Sequence, residues 1–224
     1  MERLNFSRHI QSRLIWLMLL LVIMAGCKSQ SPKETADDPG ERLTRWYTYY
    51  GIDADDMKET GQFQNPQLPP VPFFLAESCP YNDLLVFTPD SGFALDLDSY
   101  HLVLEKRADG QLHAMGREAD MEIAVISIKG NTRQRVLFCG TPCLFEEGEI
   151  LPDGRIVITG FSEYENTYRP TRWVISSDHS LVTMAMVERA VSPDKITYIS
   201  DVRLSHIHFR FAPTPPSHLS SPLL

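Results

Sequence analysis

Asp96 and Asp98, alternating along one short stretch with Ser99 beside them, and the adjacent Glu146-Glu147 pair are the residues best suited to chemistry in this chain. Two carboxylates that meet in space can act as acid and base on a glycosidic bond, or share a cation. Residues two apart on an extended strand face the same way, so Asp96 and Asp98 can be presented together. Nothing in the spacing forces the four acids into one place, and charge solvated at strand edges is the expectation. Other nucleophile signatures fail on inspection. Gly160-Phe-Ser-Glu-Tyr164 lacks the closing glycine of a serine elbow. There is no Gly-rich loop to cradle phosphate. Asp53 and Asp55 are spaced like calcium-loop ligands, but that loop needs Gly and Glu where this chain has Lys58 and Gln64. No catalytic residue, cofactor motif or metal set is assigned.

Cys79, Cys139 and Cys143 are disulfide candidates. Cys139 and Cys143 are separated by three residues, where redox pairs have two, and they follow a strand pattern instead of opening a helix. A structural bridge is expected, either Cys139 to Cys143 or one that ties Cys79 to the β region. His206 and His208 fall on one face of an extended segment and could seat a metal, but no third ligand is assignable. The stretch from Glu163 to Arg169 reads as a loop inserted between strands. Its Tyr164, Tyr168 and Arg169 are candidate binding residues, because Tyr and Arg anchor recognition surfaces. Asp96 and Asp98 stand beside them as polar binding candidates.

The elements that must position these residues are strands. From residue 83 to 211, β-branched and aromatic runs alternate with turn strings. The clearest hairpins turn at Lys129-Gly-Asn-Thr132 and Ser177-Asp-His179, and others turn at Thr88-Pro-Asp-Ser-Gly92 and Asp109-Gly110. A last strand is expected at residues 195–200. The fold class is all-β, built of antiparallel meanders. Residues 43–82 form an irregular, proline-rich wrapping segment. Within it Trp46–Tyr50 suits a short strand or packing on the domain, Asp53–Glu59 could start a short helix, and residues 62–79 could cover a sheet edge. Residues 212–224, rich in Pro and Ser, are an expected disordered tail.

Three Pro-Asp turns, beginning at Pro89, Pro152 and Pro193, precede strands. Residues 84–200 thereby resemble β-propeller blades, four-stranded meanders of about 40–45 residues. Residues 83–211 hold only about three such units, while closed propellers use at least four. Blade-like meanders or a β-sandwich remain as architectures.

The front of the chain carries an address. Arg3, Arg8 and Arg13 precede an unbroken apolar run from Leu14 to Gly26, the plan of an export signal. At 13 residues the run is short for a membrane span, which needs about 20. It ends in Met24-Ala25-Gly26-Cys27, which resembles the lipobox of bacterial lipoproteins. That resemblance implies removal of residues 1–26, acylation of Cys27 and anchoring in the cell envelope. With Lys28 in the next position, it points to the outer membrane of a two-membrane cell. Residues 27–42, polar and nearly free of apolar side chains, then read as a lipidated flexible tether.

The whole chain has a net charge of −8, and loss of residues 1–26 removes three arginines and one glutamate, which deepens it by two. Such a surface repels nucleic acid. The function that follows is a lipid-anchored envelope module that binds or assembles a protein or glycan. The alternative is an envelope hydrolase of glycan or peptide that uses the clustered carboxylates.

Overall fold

The computed structural model describes residues 40–76, 78–165 and 167–210. The export signal, Cys27, most of the tether and the Pro/Ser tail lie outside the described residues.

Leu43, Trp46, Tyr47 and Tyr50 recur at i, i+3, i+4 and i+7, the stripe of an amphipathic helix. They form helix α1, Glu41–Tyr50, with Trp46 fully buried. The aromatic run is therefore packed on the domain as a helix, not a strand, and α1 takes in the last two residues assigned to the tether. The acidic stretch after it gives only a 3-10 turn at Ala54–Asp56, capped by Asp53, before strand β1, Lys58–Gln64.

The remaining strands are β2 (Val71–Pro72), β3 (Val86–Phe87), β4 (Phe93–Asp96), β5 (Leu102–Lys106), β6 (Leu112–Arg117), β7 (Met121–Ser127), β8 (Thr132–Cys139), β9 (Cys143–Ile150), β10 (Ile156–Tyr164), β11 (Thr167–Ile175), β12 (Leu181–Met186) and β13 (His208–Phe209). They make two five-stranded antiparallel sheets, ordered β1-β12-β11-β10-β9 and β2-β8-β7-β4-β3. A smaller sheet, β13-β6-β5, grows from the chain inserted between β4 and β7; β13 joins it in parallel. The five-stranded sheets pack face to face. A Cβ on Gly148 of β9 would stand 2.7 Å from Ile158, 2.9 Å from Leu95 of β4 and 3.1 Å from Leu97 just beyond β4, and the Phe145 N–H donates to Met121 Sδ. Two meanders in a sandwich result, and the described residues form no closed barrel.

The hairpins turn where the sequence places them, with Asn131 and His179 in the left-handed region that such turns require. The first two Pro-Asp turns join β3 to β4 and β9 to β10. The third opens no strand. Pro193–Lys195 is a 3-10 turn and Ile199–Arg203 a π-helical turn, in place of the strand expected at 195–200. Ile196, Ile199, Tyr198 and Leu204 are buried there. Tyr198 and Ile199 are buried in succession, which a helical turn allows and the alternation of a half-buried strand does not.

The proline-rich segment runs along the sandwich and closes edges on both large sheets. β1 pairs with β12 and β2 with β8. Between them the Asn65 amide donates to the Val136 carbonyl at 2.7 Å and the His179 carbonyl at 2.8 Å, tying the two sheets together. Phe73 and Leu75 then cover Leu85, Ala94 and Ile126 in a satellite apolar cluster.

Candidate functional site

Strand β9 carries the densest chemistry. Across β10, Thr159 pairs with Glu147 and Gly160 with Phe145, so Glu146 is the extra residue of a β-bulge. A bulge re-aims side chains, and here it lets consecutive glutamates both be accommodated inside. Gly160 is required opposite it, since a Cβ there would stand 1.9 Å from the Leu144 carbonyl oxygen.

Glu146 and Glu147 are almost completely buried. Trp46 Nε1 donates to Glu146 Oε2 at 2.8 Å and the Tyr50 hydroxyl to Oε1 at 3.2 Å. The Tyr198 hydroxyl donates to Glu147 at 2.9 Å. Glu149, at the end of the same strand, accepts the Gly40 N–H on both oxygens, at 2.7 and 2.9 Å. Burial pushes the Glu146 carboxyl up to about 7, against the pull of Trp46, Tyr50, Arg203 and Arg117. Burial also pushes the Tyr50 and Tyr198 hydroxyls far above their ordinary range, helped by Glu146 and Glu147 respectively.

Asp96 and Asp98 are buried too, which corrects the expectation of solvated edge charge. They do not converge as an acid pair. Asp98 takes a two-pronged ion pair from Arg203, both contacts at 2.7 Å. Asp96 accepts from Ser99 and from Arg133, which also bridges to Glu122. A lone carboxylate in an apolar interior would shed its charge, whereas an arginine fork satisfies its lone pairs. His101 lies 3.9 Å from Asp98, and burial holds its imidazole down to about 4. The glutamates, Asp98, Arg203, Arg117 and His101 form one polar core beneath α1 and the π-helical turn.

Exposed recognition chemistry sits at the end of the sandwich where β8 crosses into β9. The Cys139–Cys143 bridge staples that corner, with Cα atoms 5.8 Å apart, and Cys79 forms no disulfide. Residues 163–169 are no inserted loop: β10 and β11 run through them in register to a tight turn beside the corner, where the Glu163 N–H donates to the Pro142 carbonyl. Tyr168 is buried and pairs with Val191, whereas Tyr164 is 45% exposed. The Arg169 guanidinium lies over the Tyr164 ring at 4.2 Å and reaches Glu165 at 3.6 Å. A second stack stands at the same end: Arg135 lies over Phe138 at 5.2 Å, and Phe138 packs edge-on against Tyr100. Phe138 and Tyr100 are 44% and 42% exposed. Sequence reasoning missed this second stack, because Phe138 alternates with core residues on β8 and Tyr100 lies within a turn. The disulfide that joins β8 to β9 was the one available signal.

His208 stacks on His113 of the neighbouring strand, with 4.9 Å between ring centroids, while His206 is exposed in the preceding turn. Among the described residues no group of three or more His, Cys, Asp or Glu side chains could hold a metal ion. No helix among them is long and apolar enough to cross a membrane. Comparison with known proteins finds no matching family model, no matching curated protein and no matching solved structure.

Proposed function

We propose that the chain is a lipid-anchored module of the bacterial cell envelope that binds or assembles a protein or glycan partner through the aromatic–arginine rim at the stapled end of its sandwich. The observation that carries this reading is the doubled stack, Arg169 on Tyr164 and Arg135 on Phe138 beside Tyr100. Exposed aromatic rings with their guanidinium partners already ordered bind at low entropic cost, and such residues dominate interface energetics. The lipobox-like Met24-Ala25-Gly26-Cys27 supports the address. Two or more acyl chains on Cys27 give stable anchoring where one gives only marginal binding. The hydrolase alternative depends on Asp96 and Asp98, and their commitment to Arg133 and Arg203 favours binding over it.

The test pairs address with surface. The full chain is produced in a bacterium, its membrane fraction is extracted, and the N-terminal peptide is analysed by mass spectrometry for an acylated Cys27. In-cell crosslinking then compares the wild type with the triple variant Tyr100→Ala, Phe138→Ala, Tyr164→Ala. Acylation together with a loss of roughly tenfold or more in one crosslinked species, at equal protein level, is expected. An intact Met1, or crosslinking indifferent to the triple variant, overturns the reading.

A further inference from the structure

We infer that α1 is a proton-controlled latch, held against β9 when Glu146 carries a proton and loosened when Glu146 is ionised. The geometry starts from the helix. Its one fully buried side chain, Trp46, and its last residue, Tyr50, both end their hydrogen bonds on Glu146, and the Gly40 amide just before it ends on Glu149. Docking of α1 is therefore what excludes water from the Glu146 carboxyl. The helix also lies on the chain between the proposed tether and the sandwich, so an undocked α1 would lengthen that tether.

Burial sets the sign, against the donors and charges that face Glu146. From α1, Trp46 and Tyr50 touch it, Tyr49 lies near, and Arg45 lies toward Tyr198. Glu147 is its neighbour on β9. Arg117 faces it from β6 and Arg203 from the π-helical turn. Arg203 is already committed to Asp98 and stands beside Glu147. In the docked state the carboxyl is pushed up to about 7 from an ordinary 4.5. Undocking returns it to water and toward the ordinary value. The docked form therefore binds more protons between these two values, and its stability falls as pH rises through that window and levels off above it. Acid fastens the latch, and the rise to neutral pH slackens it.

The magnitude follows from the same two values. The opening constant of α1 rises on the order of 70-fold between pH 5 and pH 8, with a ceiling of about 300-fold. The experiment is amide hydrogen exchange on the full chain, corrected for intrinsic rates, across Glu41–Tyr50 and across β10 and β11 for comparison. In the wild type the α1 amides are expected to lose protection by about that factor while the β10–β11 amides do not. In Glu146→Gln, which keeps the shape without the charge, the dependence is expected to flatten to within about threefold. Tyr50→Phe, which removes one donor to the ionised carboxylate, is expected to move the wild-type midpoint to higher pH. PH-independent protection in the wild type overturns the latch. So does an unchanged slope in Glu146→Gln, a midpoint in Tyr50→Phe that stays or falls, or loss of β10–β11 protection in step with α1.

Discussion

Replacement of Gly160 by alanine tests whether the bulge on β9 is a structural necessity. An added Cβ would stand 1.9 Å from the Leu144 carbonyl oxygen, 2.9 Å from its carbon and 3.1 Å from Phe145 Cα. Carbon and oxygen approach no closer than about 3.3 Å even in favourable strand contacts, so β9 and β10 must part locally by roughly 1.4 Å. A ladder hydrogen bond of about 2.9 Å does not survive that displacement. The obstacle is backbone, so no side chain can swing aside to relieve it. Two buried backbone bonds lost or bent, at about 1–3 kcal/mol each, give a loss of about 2–6 kcal/mol. For a domain of this size each kcal/mol lowers the melting temperature by about 2–4 °C, so a fall of about 4–24 °C is expected. Urea unfolding followed by both tryptophan fluorescence and circular dichroism measures it. Gly61→Ala is the control, because nothing lies within 4 Å of its Cβ position. A Gly160→Ala loss below about 1 kcal/mol, at an unchanged denaturant slope, refutes the reasoning.

Arg203→Met leaves Asp98 buried without its fork and should cost about 3–5 kcal/mol in urea unfolding, with much of the loss recovered when Asp98→Asn is added. A double variant no more stable than Arg203→Met would show that packing, not uncompensated charge, sets the cost. Asn65→Ala removes both amide bonds between the sheets and should cost about 1–3 kcal/mol. An unchanged urea midpoint would mean that water replaces the amide at both carbonyls.

The strands that sequence made legible are those whose stability is local. β7–β8 and β11–β12 join alternating apolar runs through turn residues that tolerate positive φ, and both signals lie within a few residues of each other. β9 was illegible for the opposite reason. Its glutamates look like surface charge until Trp46, Tyr50, Tyr198 and the Gly40 amide arrive from distant parts of the chain to satisfy them. Gly148 and Gly160, inside strands, were the available hint, since glycine there marks a bulge or a close approach. Asp96 and Asp98 were found as a pair, but their arginines lie 37 and 105 residues away and no spacing rule connects them. On α1 the aromatic run Trp46–Tyr50 suggested a strand until Leu43 is included, which completes the helical stripe. Tyr164 and Arg169, chosen as binding candidates of one loop, stack on each other in a hairpin, while Tyr168 alternates to the buried side.

One strand joins the two regions on which function is proposed. β9 begins at Cys143, whose bridge to Cys139 fixes the corner beneath the aromatic–arginine rim. It holds the π-helical turn and α1 through Glu147 and Glu146, and it ends near Glu149, which receives the amide before the helix. Glu146→Gln changes only a charge under α1 and leaves the backbone of β9 in place. Gly160→Ala moves that backbone between the bulge and the stapled corner, because the clash falls on Leu144 and Phe145. The two perturbations should therefore separate: the first alters α1 protection and spares partner crosslinking at the rim, and the second disturbs both. A Glu146→Gln protein that loses rim crosslinking while its β10–β11 exchange is unchanged would show that the helix and the rim are coupled through something other than the position of β9.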